Sequence, residues 1–104
     1  MPLLIDPDDS VLVVVDVQAD FLDRVDAEVR DGLVDRIAFL ALSARFAGVP
    51  IIASVESPED WGGLHPDLVG PVGDAPVLRK VVFGLADDPL VGPAVEAAGR
   101  GTVV

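Results

Sequence analysis

The sequence predicts an α/β fold, a parallel sheet flanked by helices. Three observations predict it. Residues 11–15, "VLVVV", form an unbroken apolar run; a strand covered on one face would alternate, so this one needs cover on both. From Ala27 to Ala47 the apolar side chains recur at helical spacing. A second short apolar segment, "IIASV" at 51–55, follows directly. Strand, helix and strand in that order make a parallel crossover unit, which is nearly always right-handed.

Each element has its own signal. Residues 2–10 are a lead-in rich in Pro and Asp, where Asp-Pro favours a turn. In the helix, Val29, Leu33, Val34, Ile37, Leu40, Ala41 and Ala44 form the inward stripe. Asp26 stands where a cap belongs, Gly48 where a helix closes, and Pro50 where it cannot continue. Residues 56–76 are rich in Pro and Gly and predict a long loop with a helical turn at 66–69; loops of that length inside a compact domain are usually functional. "VLRKVVF" (77–83) predicts a third strand. Residues 87–99 predict a helix with Asp88 as cap, Pro89 at the first position and Gly99 at the end, although Pro93 interrupts the pattern. "TVV" (102–104) starts a further strand. Neither a repeat nor a linker divides the chain, so residues 1–104 read as one domain, open on its carboxyl side. An apolar edge left uncovered invites pairing. Either a partner covers it or the sequence is the front part of a longer domain, and the second is the expectation.

Composition narrows the function. Half of the 104 residues are hydrophobic, with only four Phe and one Trp, so the core is aliphatic. Eighteen acids against seven bases give a formal charge of −11, which repels phosphate backbones and anionic lipid. Nucleic acid and membrane surfaces are therefore not expected partners. The absence of cysteine removes disulfides and thiolate metal sites. The amino terminus does not read as a signal peptide, and no apolar run is long enough to span a bilayer. A cytoplasmic location is the expectation.

Ligands of open parallel sheets bind beyond the carboxyl ends of the strands. Asp16 ends the first strand, Glu56 follows the second, and Lys80 lies within or after the third. If the strands are neighbours, these charges converge on one rim. There a carboxylate would be partly desolvated and a better proton acceptor, and a lysine would hold developing negative charge. Each residue also has an ordinary reading: Asp16 as a turn former, Lys80 and Glu56 as solvated side chains, Trp61 as a loop aromatic packed on the core. His65 has no second His at metal-ligand spacing, so neither metal nor cofactor is expected. The segment after the first strand, "DVQADF", is acidic where a dinucleotide fold would hold phosphate. Ser10, Ser43, Ser54 and Ser57 lack the setting of a nucleophile elbow.

"VVVDVQADF" resembles the opening strand of the isochorismatase-like cysteine hydrolase superfamily, through Asp16, Gln18 and Phe21. "LRKVVF" resembles that family's second block, a lysine followed three residues later by Phe, here Lys80 and Phe83. "GVPIIASVESPEDWGGLHPDL" resembles the intervening segment of the small isochorismatase domain-containing subgroup, with Val55-Glu56 in place of Thr-Glu and Pro66-Asp67-Leu68 later. The resemblance spans nearly the whole chain. It implies a Rossmann-like sheet with the first strand central, and a triad of Asp, Lys and Cys acting on a small-molecule amide, or on a related C–N or ether bond. Asp16 would be the base and Lys80 its partner. Gln18, Phe21, Glu56 and Phe83 would face the substrate, and a homo-oligomer would be the assembled state. The family's Cys follows its fourth strand, and these residues contain none. Three readings stay open: the amino-terminal portion of such a hydrolase, a non-catalytic remnant serving as a binding or oligomerisation module, or an unrelated small hydrolase using Asp16 and Lys80 without a thiol, for which no nucleophile is visible.

Overall fold

The structure is a computed structural model that describes residues 4–104. Four parallel strands form one sheet in the order β3-β2-β1-β4. They are β1 (Ser10–Val15), β2 (Ile51–Glu56), β3 (Val77–Lys80) and β4 (Thr102–Val103). β1 lies inside the sheet, as the resemblance implies. Its register with β2 runs from Leu12↔Ile51 to Val15↔Ser54, and β2 pairs β3 from Ala53↔Val77 to Glu56↔Lys80.

Parallel register puts partners on the same face, and this sorts the core. Leu12, Val14, Ile51 and Ala53 pack with Val34, Ala41 and Ala44 of helix α2 (Ala27–Ala47) and with Leu68 and Val72 of helix α4 (Pro66–Val72). On the other face lie Val11, Val13 and Ile52, also buried. Helix α5 (Val91–Ala97) covers that side, contacting β2. The continuous apolar run of β1 is thus explained by cover on both faces from Val11 to Val14; only Val15 is exposed.

The 21 residues of α2 match the predicted span, but of the expected stripe only Val34, Ala41 and Ala44 are buried, while Val29, Leu33 and Leu40 are exposed. Gly48 closes it at φ 75°, a left-handed conformation that a side chain would strain. Asp26 occupies the cap position, but its side chain makes no capping bond. Two short helices were not anticipated: α1 (Ala19–Leu22) and α3 (Pro58–Trp61). The expected turn at 66–69 is a longer helix, α4, started by His65, whose Nδ1 accepts from the Asp67 N–H.

Two boundaries are corrected. β3 stops at Lys80 instead of reaching Phe83, because the Val81 and Val82 amides leave the ladder for the Asp88 carboxylate. α5 starts at Val91 instead of Pro89, yet Asp88 still serves its amino end, accepting from Leu90 and Val91 N–H. Pro93 is tolerated because it sits in the first turn, where no intrahelical donor is required.

Candidate active site

Parallel pairing of β1, β2 and β3 brings three carboxyl ends side by side. The chain turns sharply there: Asp16 has φ 53° and Ser57 φ 39°. Both are left-handed, a conformation that costs a non-glycine residue free energy and recurs at functional sites. Asp16 still donates its N–H to the Ser54 carbonyl at 3.0 Å, so the turn begins directly off the ladder. The result aims the Asp16 side chain along the rim.

Lys80 meets it there. Its Nζ lies 3.0 Å from Asp16 Oδ2, and the two side chains are 3 % and 19 % exposed. The other carboxylate oxygen, Oδ1, accepts from the Ser54 hydroxyl at 2.9 Å. Lys80 Nζ also donates to the Phe83 carbonyl at 3.2 Å and stands 5.3 Å from the Phe83 ring centre. The buried ammonium is therefore compensated by an anion and a carbonyl, which a buried lysine needs.

The remaining sequence candidates fall into two groups. Gln18 is fully buried, and its amide spans the gap between β1 and the loop after β2. Its Nε2 donates to the Glu56 and Gly62 carbonyls, while its Oε1 accepts from Glu56 N–H at 2.8 Å. Glu56, opposite Lys80 in the ladder, is half-buried. Phe21 stacks on Trp61 with ring centres 4.6 Å apart, and the Arg24 guanidinium covers the Trp61 ring at 4.7 Å. Phe83 is 91 % exposed. Among the described residues, no group of three His, Cys, Asp or Glu side chains could hold a metal ion.

Sequence reasoning missed two residues. The sequence offers Ser54 only as a candidate nucleophile, whereas its hydroxyl orients Asp16; a lone polar side chain inside an apolar strand is the available signal, since buried polar groups find partners. The sequence marks Asp88 only as a helix cap. It is 1 % exposed and accepts four backbone N–H bonds, from Val81, Val82, Leu90 and Val91. Burial alone would raise its pKa, but those four donors outweigh it and lower the carboxyl from 3.8 to about 2.

A scan against family models finds no match, and neither does a search of the curated proteins. Solved structures do match. The MAR1 ribonuclease of Caenorhabditis elegans superposes with a TM-score of 0.80 at 22 % identity, over 95 % of this chain and 50 % of that one. YcaC of Pseudomonas aeruginosa, in a structure with hexane-2,5-diol and covalent acrylamide, gives 0.78 at 29 %, over 95 % and 50 %. YcaC of Escherichia coli, described as an octameric hydrolase of unknown specificity, gives 0.80 at 23 %, over 99 % and 52 %. The chain spans about half the length of these proteins. Its fold is the one these proteins share, that of the isochorismatase-like hydrolase superfamily to which they belong.

Proposed function

We propose that this chain supplies the acid and amine of a thiol-dependent hydrolase site acting on a small-molecule amide, or a related C–N or ether bond. The sulfur would come from polypeptide other than these 104 residues, which contain no cysteine. The observation that carries the reading is the ion pair between Lys80 Nζ and Asp16 Oδ2 at 3.0 Å on the rim of the sheet. Each Asp16 oxygen accepts one bond from within the chain, and a carboxylate has roughly four lone-pair sites, so room remains for a thiol proton. Asp16 takes that proton; Lys80 holds the negative charge beside it. The thiolate adds to the carbonyl carbon, and the leaving amine departs with the proton from Asp16. Water then cleaves the thioester and restores the thiol.

In this reading Gln18 shapes the substrate side by fixing the backbone of Glu56 and Gly62. Phe21 contributes through its stack with Trp61, and Glu56 and Phe83 flank the pair. The reading needs no cofactor or metal. It includes a cytoplasmic, self-associating protein, the second in keeping with the octameric E. coli YcaC.

Sequencing the transcript past the Val104 codon tests the proposal. A frame running on through a Gly-containing turn to a Cys at a helix start is expected. That longer polypeptide should release amine from small amides and lose at least about 10²-fold in turnover on Asp16→Asn. A stop codon directly after Val104 overturns the proposal. The missing cysteine then favours a binding or oligomerisation module, for which light scattering should give a dimer or larger; a monomer would contradict it.

A further inference from the structure

Lys80 is the only lysine in the chain. Its flexible side chain reaches Asp16 with the ammonium nearly out of solvent, an arrangement that needs a second support beyond the ion pair. That support is the Phe83 carbonyl, three residues on, in a turn outside the sheet. Phe83 itself cannot anchor the turn, because its ring lies in solvent. The anchor is Asp88. Its Oδ1 accepts from Val81 N–H at 2.7 Å and Val82 N–H at 3.3 Å, and its Oδ2 from Leu90 and Val91 N–H at 2.9 Å each. One carboxylate thus ties the turn after β3 to the start of α5. The α5 side packs closely against the same loop: a Cβ on Gly92 would lie 2.5 Å from the Ala86 carbonyl oxygen.

We infer that Asp88 is a positioning residue for Lys80, clamping the 81–83 turn so that the Phe83 carbonyl aims the ammonium at Asp16. The inference rests on the reading of Asp16 and Lys80 as a working pair. The competing role, a helix cap and nothing more, uses only the Oδ2 side. Serine caps helices well but is too short to reach the Val81 and Val82 amides as well. Asp88→Ser therefore separates the two roles.

The readout is acylation of the Lys80 amine by acetic anhydride, followed by mass spectrometry, with the N-terminal amine as internal reference. Urea unfolding of each variant fixes the rise in labelling that lost global stability alone allows. Beyond that allowance, Asp88→Ser should increase Lys80 labelling at least about tenfold, the scale of one lost hydrogen bond to a charged group. Asp16→Asn should increase it as well. Labelling raised by Asp16→Asn but not by Asp88→Ser overturns the positioning role and leaves the proposed function standing. Labelling unmoved by Asp16→Asn overturns the working pair, and the positioning role with it. If Asp88→Ser does not fold, hydrogen exchange of the unaltered chain decides. The Val81, Val82, Leu90 and Val91 amides should then share one protection level. Protection confined to Leu90 and Val91 would leave Asp88 a cap alone.

Discussion

The two flanks of β1 are built to different standards. Towards β2 and β3 the ladder is long, running from Leu12↔Ile51 to Val15↔Ser54 and on to Glu56↔Lys80. Its polar side chains are tied down: Ser54, Asp16 and Lys80 to one another, and Gln18 to the backbone of Glu56 and Gly62. Among the described residues, no buried side-chain polar atom lacks a hydrogen-bond partner. Towards β4 the register is only Ser10↔Thr102 and Val11↔Val103. Val15, Leu40, Val103 and Val104 are exposed there, and a groove of about 180 Å³ runs between the upper half of β1 and Ile37 and Leu40 of α2. The difference teaches that the acid–amine rim depends on β2 and β3 and owes little to the β4 side. That side carries the apolar surface on which stability is least invested.

The largest break in this contrast should come from Asp16→Ala, which strands a buried ammonium. A loss of about 3 kcal/mol in urea-unfolding free energy is expected, as for other broken buried pairs; a change inside the error of the measurement would mean that the rim is not a structural unit. Next comes Gln18→Leu. It fits the volume but leaves Glu56 N–H and two carbonyls without their partner, at a cost of about 2 kcal/mol by the same measurement.

Asp88 sharpens the comparison through pH. Its carboxyl is held near 2 in the fold, below the ordinary carboxylate value, so it stabilises the fold only when ionised. That contribution is complete above about pH 4 and disappears as the pH falls from there through 2. Denaturant midpoints measured at pH 5, 3 and 2 should fall less steeply in Asp88→Asn than in the unaltered chain. Equal slopes would remove Asp88 from the account. The smallest effect belongs to the other flank: Val103→Thr, at an exposed strand position, should change stability by no more than about 0.5 kcal/mol.

The sequence made the sheet legible where neighbouring residues carry the signal. Val11 to Val14 announced a strand buried on both faces, and the stripe from Val29 to Ala44 announced α2 to its last residue. Asp16 and Lys80 were legible as neighbours because the strand-end rule converts order in sequence into proximity in space. What stayed hidden depends on bonds between distant residues. Ser54 meets Asp16 across 38 positions: a polar residue inside an apolar strand signals that it has a partner but does not say which. The end of β3 was misjudged because Val81 and Val82 are good strand formers whose amides a side chain seven and six residues ahead withdraws from the ladder. The same carboxylate is why α5 has its anchor at Asp88 but its first helical residue at Val91.

The claim on which the account depends is the Asp16–Lys80 pair, and Lys80, as the only lysine, can be watched alone. NMR of the chain labelled with ¹⁵N-lysine should show one Nζ ammonium signal whose protons exchange slowly with water, and that signal should vanish or broaden in Asp16→Asn. An Nζ signal exchanging as freely as that of lysine in solution, unchanged by Asp16→Asn, would contradict it.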